Sequence, residues 1–253
     1  MKISVITATY NSGRTLAAAL DSLVAQRGVT LELIVVDGAS TDNTAAIVAN
    51  YGHLVSQFVS EPDAGIYDAL NKGLALARGE VVGFLHSDDV LAHPQVLANI
   101  AATFMRERCD AVYGNLEYVA QQDVNKVVRY WHSGAYQRCR LRHGWMPPHP
   151  TFYLKRCHYQ QYGGFDCRYR IAADYDSMLR YLYLHHCHAV FLNEVLVKMR
   201  VGGASNRSLV NMVQKTKEDY LVLKRNGLAA GLGVLQKNLS KVPQFFQRER
   251  DVS

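Results

Sequence analysis

The segment Val81-Val82-Gly83-Phe84-Leu85-His86-Ser87-Asp88-Asp89 runs a short apolar stretch straight into two adjacent carboxylates. The same plan occurs earlier, at Ile34-Val35-Val36-Asp37-Gly38. An apolar run of this length, bounded by turn residues, reads as a strand buried on both faces, the kind found in parallel sheets. Ligands on open α/β sheets bind outside the carboxyl ends of such strands, so both motifs set acidic side chains where a ligand would lie. Two carboxylates side by side repel one another, and hard divalent cations such as Mg²⁺ and Mn²⁺, which prefer oxygen ligands, relieve that repulsion. Asp is equally a favoured helix N-cap, and Pro94 marks a helix start nearby. On these residues alone both readings stand.

Up to about residue 115 the chain alternates between the two periods. Strands are predicted at 2–7, 31–36, 55–60, 81–85 and 111–113, and helices at 15–26, 44–51, 66–77 and 94–106. Asp42-Asn43 supplies a cap for the second helix and Gly79 a stop after the third. Alternation of this kind predicts a parallel sheet covered by helices. The turn after the first strand reads Thr7-Ala8-Thr9-Tyr10-Asn11-Ser12-Gly13, which is neither GxGxxG nor Walker A. Beyond residue 115 the order becomes irregular. Segments 116–119 and 126–131 suit a hairpin or edge strands, 174–184 an amphipathic helix, 189–201 a strand, and Gly202-Gly203-Ala204-Ser205 a loop. The stretch 146–152 holds too many prolines for a helix.

With 253 residues, 49% of them hydrophobic and 20% charged, the chain has the composition of a globular protein with one large domain or a domain plus an appendage. The N-terminus enters a strand without the apolar core and cleavage site of a secretory signal, and no apolar run reaches the ~18 residues of a membrane span. Five cysteines with no CxxC spacing argue against a disulfide framework and fit a reducing cytoplasm. His185-His186-Cys187-His188 is read as a structural turn, because consecutive residues rarely converge on one metal. The formal charge is +6, and between Leu223 and Ser253 six bases stand against Glu249 and Asp251, a local +4. That segment, striped with Leu228, Leu232, Leu235, Phe245 and Phe246, suits either an anionic membrane surface or a terminal helix with a solvated basic face. Gly227, Gly231 and Gly233 weaken any long helix there. No nucleic-acid reader motif accompanies the charge, so no nucleic acid is expected.

Four motifs in order resemble family 2 glycosyltransferases of the GT-A fold. They are Val5-Ile6-Thr7-Ala8-Thr9-Tyr10-Asn11, Val35-Val36-Asp37-Gly38-Ala39-Ser40-Thr41-Asp42, Asp63-Ala64-Gly65-Ile66-Tyr67-Asp68-Ala69-Leu70-Asn71-Lys72-Gly73, and Ser87-Asp88-Asp89. The third is similar to a subgroup of bacterial O-antigen and exopolysaccharide enzymes. The resemblance implies an α/β, Rossmann-like, mostly parallel sheet with helices on both faces. It implies a catalytic domain over residues 1–206, with a nucleotide-sugar half (1–115) and an acceptor half (116–206), followed by a basic amphipathic C-terminal helical extension (207–253).

The same resemblance assigns roles. Asp37 would accept from a nucleobase N–H, with Thr9 and Tyr10 lining the base pocket; taken on its own, Asp37 could also cap its loop and Tyr10 could be packing. Asp68 and Asn71, which share a helix face by i, i+3 spacing, would face the nucleotide-sugar, although a solvated face fits them too. Asp89 would ligate Mg²⁺ or Mn²⁺ and Asp88 would contact sugar or ribose. Asp174 would be the base that activates the acceptor hydroxyl, with Asp176 as fallback and helix capping as the alternative for both. Many members carry an acidic pair at this point, whereas here its first position is Ala173. His149, behind Arg138, Arg140 and Arg142, lies where a cationic group could meet the diphosphate of a lipid-linked acceptor, although a solvated or structural basic loop fits these residues as well; Arg200 with the loop after it would close over donor phosphates. The expected function is an inverting transfer from a nucleotide-sugar, UDP-linked by default, to a glycan or polyprenyl-diphosphate-linked acceptor, in the cytoplasm or against the inner membrane. A sugar nucleotidyltransferase and an inactive nucleotide-binding scaffold are the competing readings. The lack of a QxxRW-type motif argues against a processive synthase.

Overall fold

Alternating apolar residues send the first strand, β1 (Lys2–Thr9), into two cores at once: Ile3 and Val5 face one side, Ile6 and Ala8 the other, all buried. Such a strand must lie inside a sheet covered on both faces. In the computed structural model, which describes residues 1–202, 209–231 and 233, β1 pairs in parallel with β2 (Thr30–Asp37) and β4 (Val81–Phe84), and β2 with β3 (Val55–Ser60). Beyond β4 the sheet becomes mixed. β8 (Tyr153–Lys155) inserts antiparallel between β4 and β6 (Ala111–Ala120). β6 runs parallel to β9 (Ala189–Arg200), and the short β5 (Val90–Leu91) is antiparallel to β9 at the edge. The strand order is β3-β2-β1-β4-β8-β6-β9-β5, with β7 (Asp123–Trp131) hanging from β6 as a hairpin.

Helices α1 (Leu16–Val24), α2 (Thr44–Asn50) and α4 (Val96–Glu107) cover one face. The other carries α3 (Ile66–Leu76), α5 (Arg138–Leu141), α6 (Arg156–Tyr162), α7 (Ala173–Met178) and α8 (Leu209–Arg225). Each fully buried aliphatic side chain in these layers contributes about 1.5–3 kcal/mol. Gly83 in β4 has a packing reason: a Cβ there would collide with the Tyr153 ring of β8. A buried carboxylate also ties the sheet's first strands together. Glu32 accepts from Lys2 Nζ (2.7 Å), Ser4 Oγ (2.6 Å) and the amides of Arg78 and Gly79. Burial alone would raise its carboxyl, but these donors reverse that and hold it down to about 2.

The parallel, helix-flanked sheet predicted from the strand and helix periods is therefore present. Strand 111–113 continues to Ala120 and absorbs the predicted 116–119 segment. The predicted helix over 174–184 is α7 followed by a π-helical turn over Leu179–Leu184. β5 and β8, two and three residues long, are too short to show a period. Gly203, Ala204 and Ser205 of the glycine loop, and Lys237, Lys241, Arg248 and Arg250 of the basic tail, lie outside the described residues.

Candidate active site

The turns that follow β1, β3 and β4 line a cleft of about 980 Å³. Its walls include Thr9, Tyr10, Arg14, Asp63, Asp88 and Arg200. The β1 and β2 turns are laced together: Asn11 Oδ1 accepts from the Thr41 amide (2.9 Å), the Asn11 amide donates to Ser40 Oγ (2.8 Å), and the Gly13 amide donates to Asp42 (2.9 Å). Asn11 achieves this in a left-handed conformation (φ 48°), which its short polar side chain tolerates.

Asp37, expected to read a nucleobase, is held inside its own loop. The residue is fully buried; one oxygen accepts from Ser40 Oγ, the other from the Ser40 amide (3.0 Å) and Ser60 Oγ (2.7 Å). It caps its own loop, the alternative its sequence left open. The carboxylate that reaches the cleft at this point is Asp63, after β3. Its Oδ1 accepts from the Gly65 amide (2.9 Å), while a Cβ placed on Gly38 would stand 2.6 Å from Oδ2 and 3.4 Å from the Tyr10 ring. The absence of a side chain at Gly38 thus makes room for Asp63 beside Tyr10, which is 64% exposed on the cleft wall. Thr9 lines the same wall; its own carbonyl holds the Gly38 amide (2.9 Å).

Asp68 and Asn71 also depart from expectation, because both face loops rather than the cleft. Asp68 Oδ2 accepts from the Ala64 amide (3.1 Å) and lies 3.6 Å from Lys72 Nζ, steadying the Asp63 turn. Asn71 clips the Phe165 backbone from both sides, donating to its carbonyl and accepting from its amide at 2.8 Å each.

The aspartate pair divides in the reverse sense. Asp88 is half-buried on the cleft wall, whereas Asp89 is 1% exposed and absent from the lining. Asp89 Oδ1 accepts from the Arg200 amide (3.2 Å), and its Oδ2 has no hydrogen-bond partner among the described residues. Burial, reinforced by the neighbouring Asp88, pushes the Asp89 carboxyl well up against the opposing pull of Arg200. Of the two carboxylates, Asp88 is the one on the cleft wall. Among the described residues no group of three His, Cys, Asp or Glu converges on one point, so an ion here would complete its shell with phosphate and water, as Mg²⁺ commonly does. Arg200 lines the cleft and is braced by Nη1 on the Gln121 carbonyl (2.7 Å) at the tip of the β6–β7 hairpin.

Two histidines lie beneath. His149 stacks on Phe84 (centroids 5.2 Å) and stands 5.9 Å from the His86 ring. Burial pushes His149 down to about 4, against the pull of Asp174 and with that of His86. It is neutral at pH 7, which corrects the expectation of a cation at this position. The neighbouring arginines are engaged with aromatic partners: Arg138 lies over the Tyr183 ring and donates to its carbonyl (2.8 Å), Arg142 donates to the Tyr183 hydroxyl (3.0 Å), and Arg140 sits over Trp145. His86 was not singled out in the sequence. Burial lowers it, against the opposing pull of Asp88 and Asp174.

Asp174 opens α7. Its Oδ1 accepts from the Tyr175 amide (2.8 Å) and the Tyr67 hydroxyl (3.3 Å), and Tyr67 in turn donates to the Ile171 carbonyl (2.6 Å). Neither Tyr67 nor Asp174 is among the residues that line the cleft, although Ile66, next to Tyr67, is. Burial and the Asp174 charge hold the Tyr67 phenol well above its ordinary range. Asp176 is buried and paired with Arg180 (3.3 Å), which removes it as an alternative base. The loop into Asp174 is held from outside: Glu218 of α8 accepts from the amides of Arg170 (3.1 Å), Ile171 (2.8 Å) and Ala172 (2.9 Å).

Residues 4–172 match the profile of Glycosyl transferase family 2. The chain is 31% identical over 237 residues to the "PGL/p-HBAD biosynthesis glycosyltransferase" of Mycobacterium bovis, spanning 91% of this chain and 86% of that one. Among solved structures, S. aureus TarS superposes with a TM-score of 0.69 at 23% identity, covering all of this chain but only 44% of the longer TarS chain. The mannosyltransferase PcManGT of Pyrobaculum calidifontis, in complex with GDP-Man and Mn²⁺, gives a TM-score of 0.65 at 18% identity over 98% of this chain and 76% of that one. An open α/β sheet with an acidic cleft at its strand ends defines the GT-A class of fold. The chain belongs to glycosyltransferase family 2.

Proposed function

We propose that the cleft takes a nucleotide-sugar, that Asp88 ligates its divalent cation, and that Asp174 activates the acceptor hydroxyl for an inverting transfer. The observation that supports this most is the single cleft that holds Asp63 and Tyr10 at the β3 end and Asp88 at the β4 end, with Arg14 and Arg200 in its walls. Tyr10 offers a face for base stacking. Asp63 offers carboxylate acceptors there, with Oδ1 also held by the Gly65 amide. UDP-sugars are the proposed donors, as the sequence resemblance implies, with Asp63 in the role first expected of Asp37. A divalent ion on Asp88 supplies charge neutralisation to the diphosphate. Arg14 and Arg200 add fixed positive charge along the same wall.

Asp174 takes the proton of the acceptor hydroxyl as its oxygen bonds to the anomeric carbon. The bond from that carbon to the diphosphate oxygen breaks, its electron pair leaves with the nucleoside diphosphate, and the anomeric configuration inverts. Tyr67 and the Tyr175 amide both hold Asp174 Oδ1, which fixes the orientation of the carboxylate. The proposed acceptor, as the sequence resemblance implies, is a glycan or a lipid-linked saccharide in cell-surface polysaccharide synthesis.

Slow hydrolysis of UDP-sugars, with water as acceptor, tests the roles separately. Asp174→Asn keeps UDP affinity within about twofold and lowers hydrolysis by about 10²–10⁴-fold, the usual worth of a general base. Asp63→Asn instead weakens UDP and narrows the preference for UDP over GDP. Unchanged hydrolysis in Asp174→Asn would remove it as the base.

A further inference from the structure

Helix α8 has an outward face that stands exposed among the described residues. At 3.6 residues per turn, Val210, Val213, Lys217, Tyr220, Leu221 and Lys224 fall within an arc of about 100°. Val210 is 75% and Val213 70% exposed, Tyr220 and Leu221 nearly half. The opposite face packs into the core through Val222 and Leu223. The two acidic residues of the helix, Glu218 and Asp219, are both buried, so its outer face carries apolar and basic side chains only. A solvated helix face shows mixed charges; this one has the makeup of a helix lying in a bilayer interface, with aliphatic residues inserted and lysines at the headgroups.

We propose that this face of α8 rests on an anionic lipid bilayer. Three observations favour lipid over an acidic protein. The face is a single convex helix rather than a groove. Its charge is of one sign, and the residues beyond Lys224 add a net +3 by sequence. Its inner side is fixed to the reaction centre: Glu218 grips the amides of residues 170–172, two positions before Asp174. A bilayer against the outer face therefore lies about one helix diameter, ~10 Å, from the loop that carries the proposed base. That placement suits a saccharide presented at a membrane surface, and in this respect the inference rests on the proposed transferase function.

Co-sedimentation of the full chain with phosphatidylcholine vesicles, with and without phosphatidylglycerol, tests it. The expected result is partitioning that requires phosphatidylglycerol and weakens with salt. Lys217→Glu combined with Lys224→Glu should lower it at least tenfold, as should Val213→Asp combined with Leu221→Asp. All four positions are exposed, so each variant should keep the wild-type melting temperature and the wild-type UDP-sugar hydrolysis in solution. Three results would overturn the proposal: no partitioning of the wild type, partitioning unaffected by either variant, or a dimer in light scattering that Val213→Asp dissociates while vesicles are ignored. Vesicle binding without UDP affinity would instead reject the donor site and leave the surface standing.

Discussion

Replacing Glu218 by Ala should destabilise the protein by about 3–5 kcal/mol. The carboxylate is 3% exposed and accepts from three backbone amides and from Gln214 Nε2 (2.8 Å). The Ala172 amide is buried and would lose its partner outright, at about 1–3 kcal/mol; the half-buried Ile171 and Arg170 amides can turn to water and lose about 1 kcal/mol each. The sum is a large part of the roughly 5–15 kcal/mol that holds a domain together. Burial raises the Glu218 carboxyl, but Gln214 and the three amides outweigh it and leave it lowered. A lowered carboxyl gives stability that is present above its unfolded pKa and lost as pH falls through the folded one. The gap between wild type and Glu218→Ala should therefore be full at pH 7 and shrink on acidification. Urea unfolding at both ends of that range measures it. A loss below about 1 kcal/mol at pH 7, or a gap that widens in acid, would refute the claim that Glu218 holds the loop before Asp174.

Two other groups give predictions by the same reasoning. Glu32, held down to about 2 from 4.5, corresponds to about 3 kcal/mol that is fully present above pH ~4.5 and lost toward pH 2. Glu32→Gln should be less stable by about that amount at pH 7 and converge with wild type in acid, as followed by chemical unfolding. The His149 imidazole should stay neutral down to about pH 4, so its NMR resonances should not move between pH 8 and 5.5; titration near 6.5 would show that it is not enclosed as described.

The sheet was legible in the sequence because β1, β2 and β4 are buried on both faces and the helices between them carry a clear apolar stripe. The carboxyl-end location of the cleft followed from that. Which side chain of each motif turns to the cleft did not. Asp88 and Asp89 are neighbours, and the choice between them is made by the Arg200 amide, 111 residues on, which holds Asp89 inside. Asp37 is closed off by Ser40 and by Ser60 of the next strand. The trace that Asp63 left was the glycine directly after Asp37, a missing side chain whose space another carboxylate fills. Asp68 and Asn71 do share a face, as their spacing indicates, but that face meets the turns at residues 64 and 165. Such contacts join residues far apart in the chain and give no periodic signal.

The central claim is that Asp88, and not Asp89, binds the cation of a nucleotide donor. Calorimetric titration of UDP with and without Mn²⁺ into wild type, Asp88→Asn and Asp89→Asn tests it most directly. Asn at position 89 keeps an acceptor for the Arg200 amide, so Mn²⁺ should strengthen UDP binding at least tenfold in wild type and Asp89→Asn, and not at all in Asp88→Asn. Retention of the Mn²⁺ effect in Asp88→Asn, with its loss in Asp89→Asn, would contradict the account.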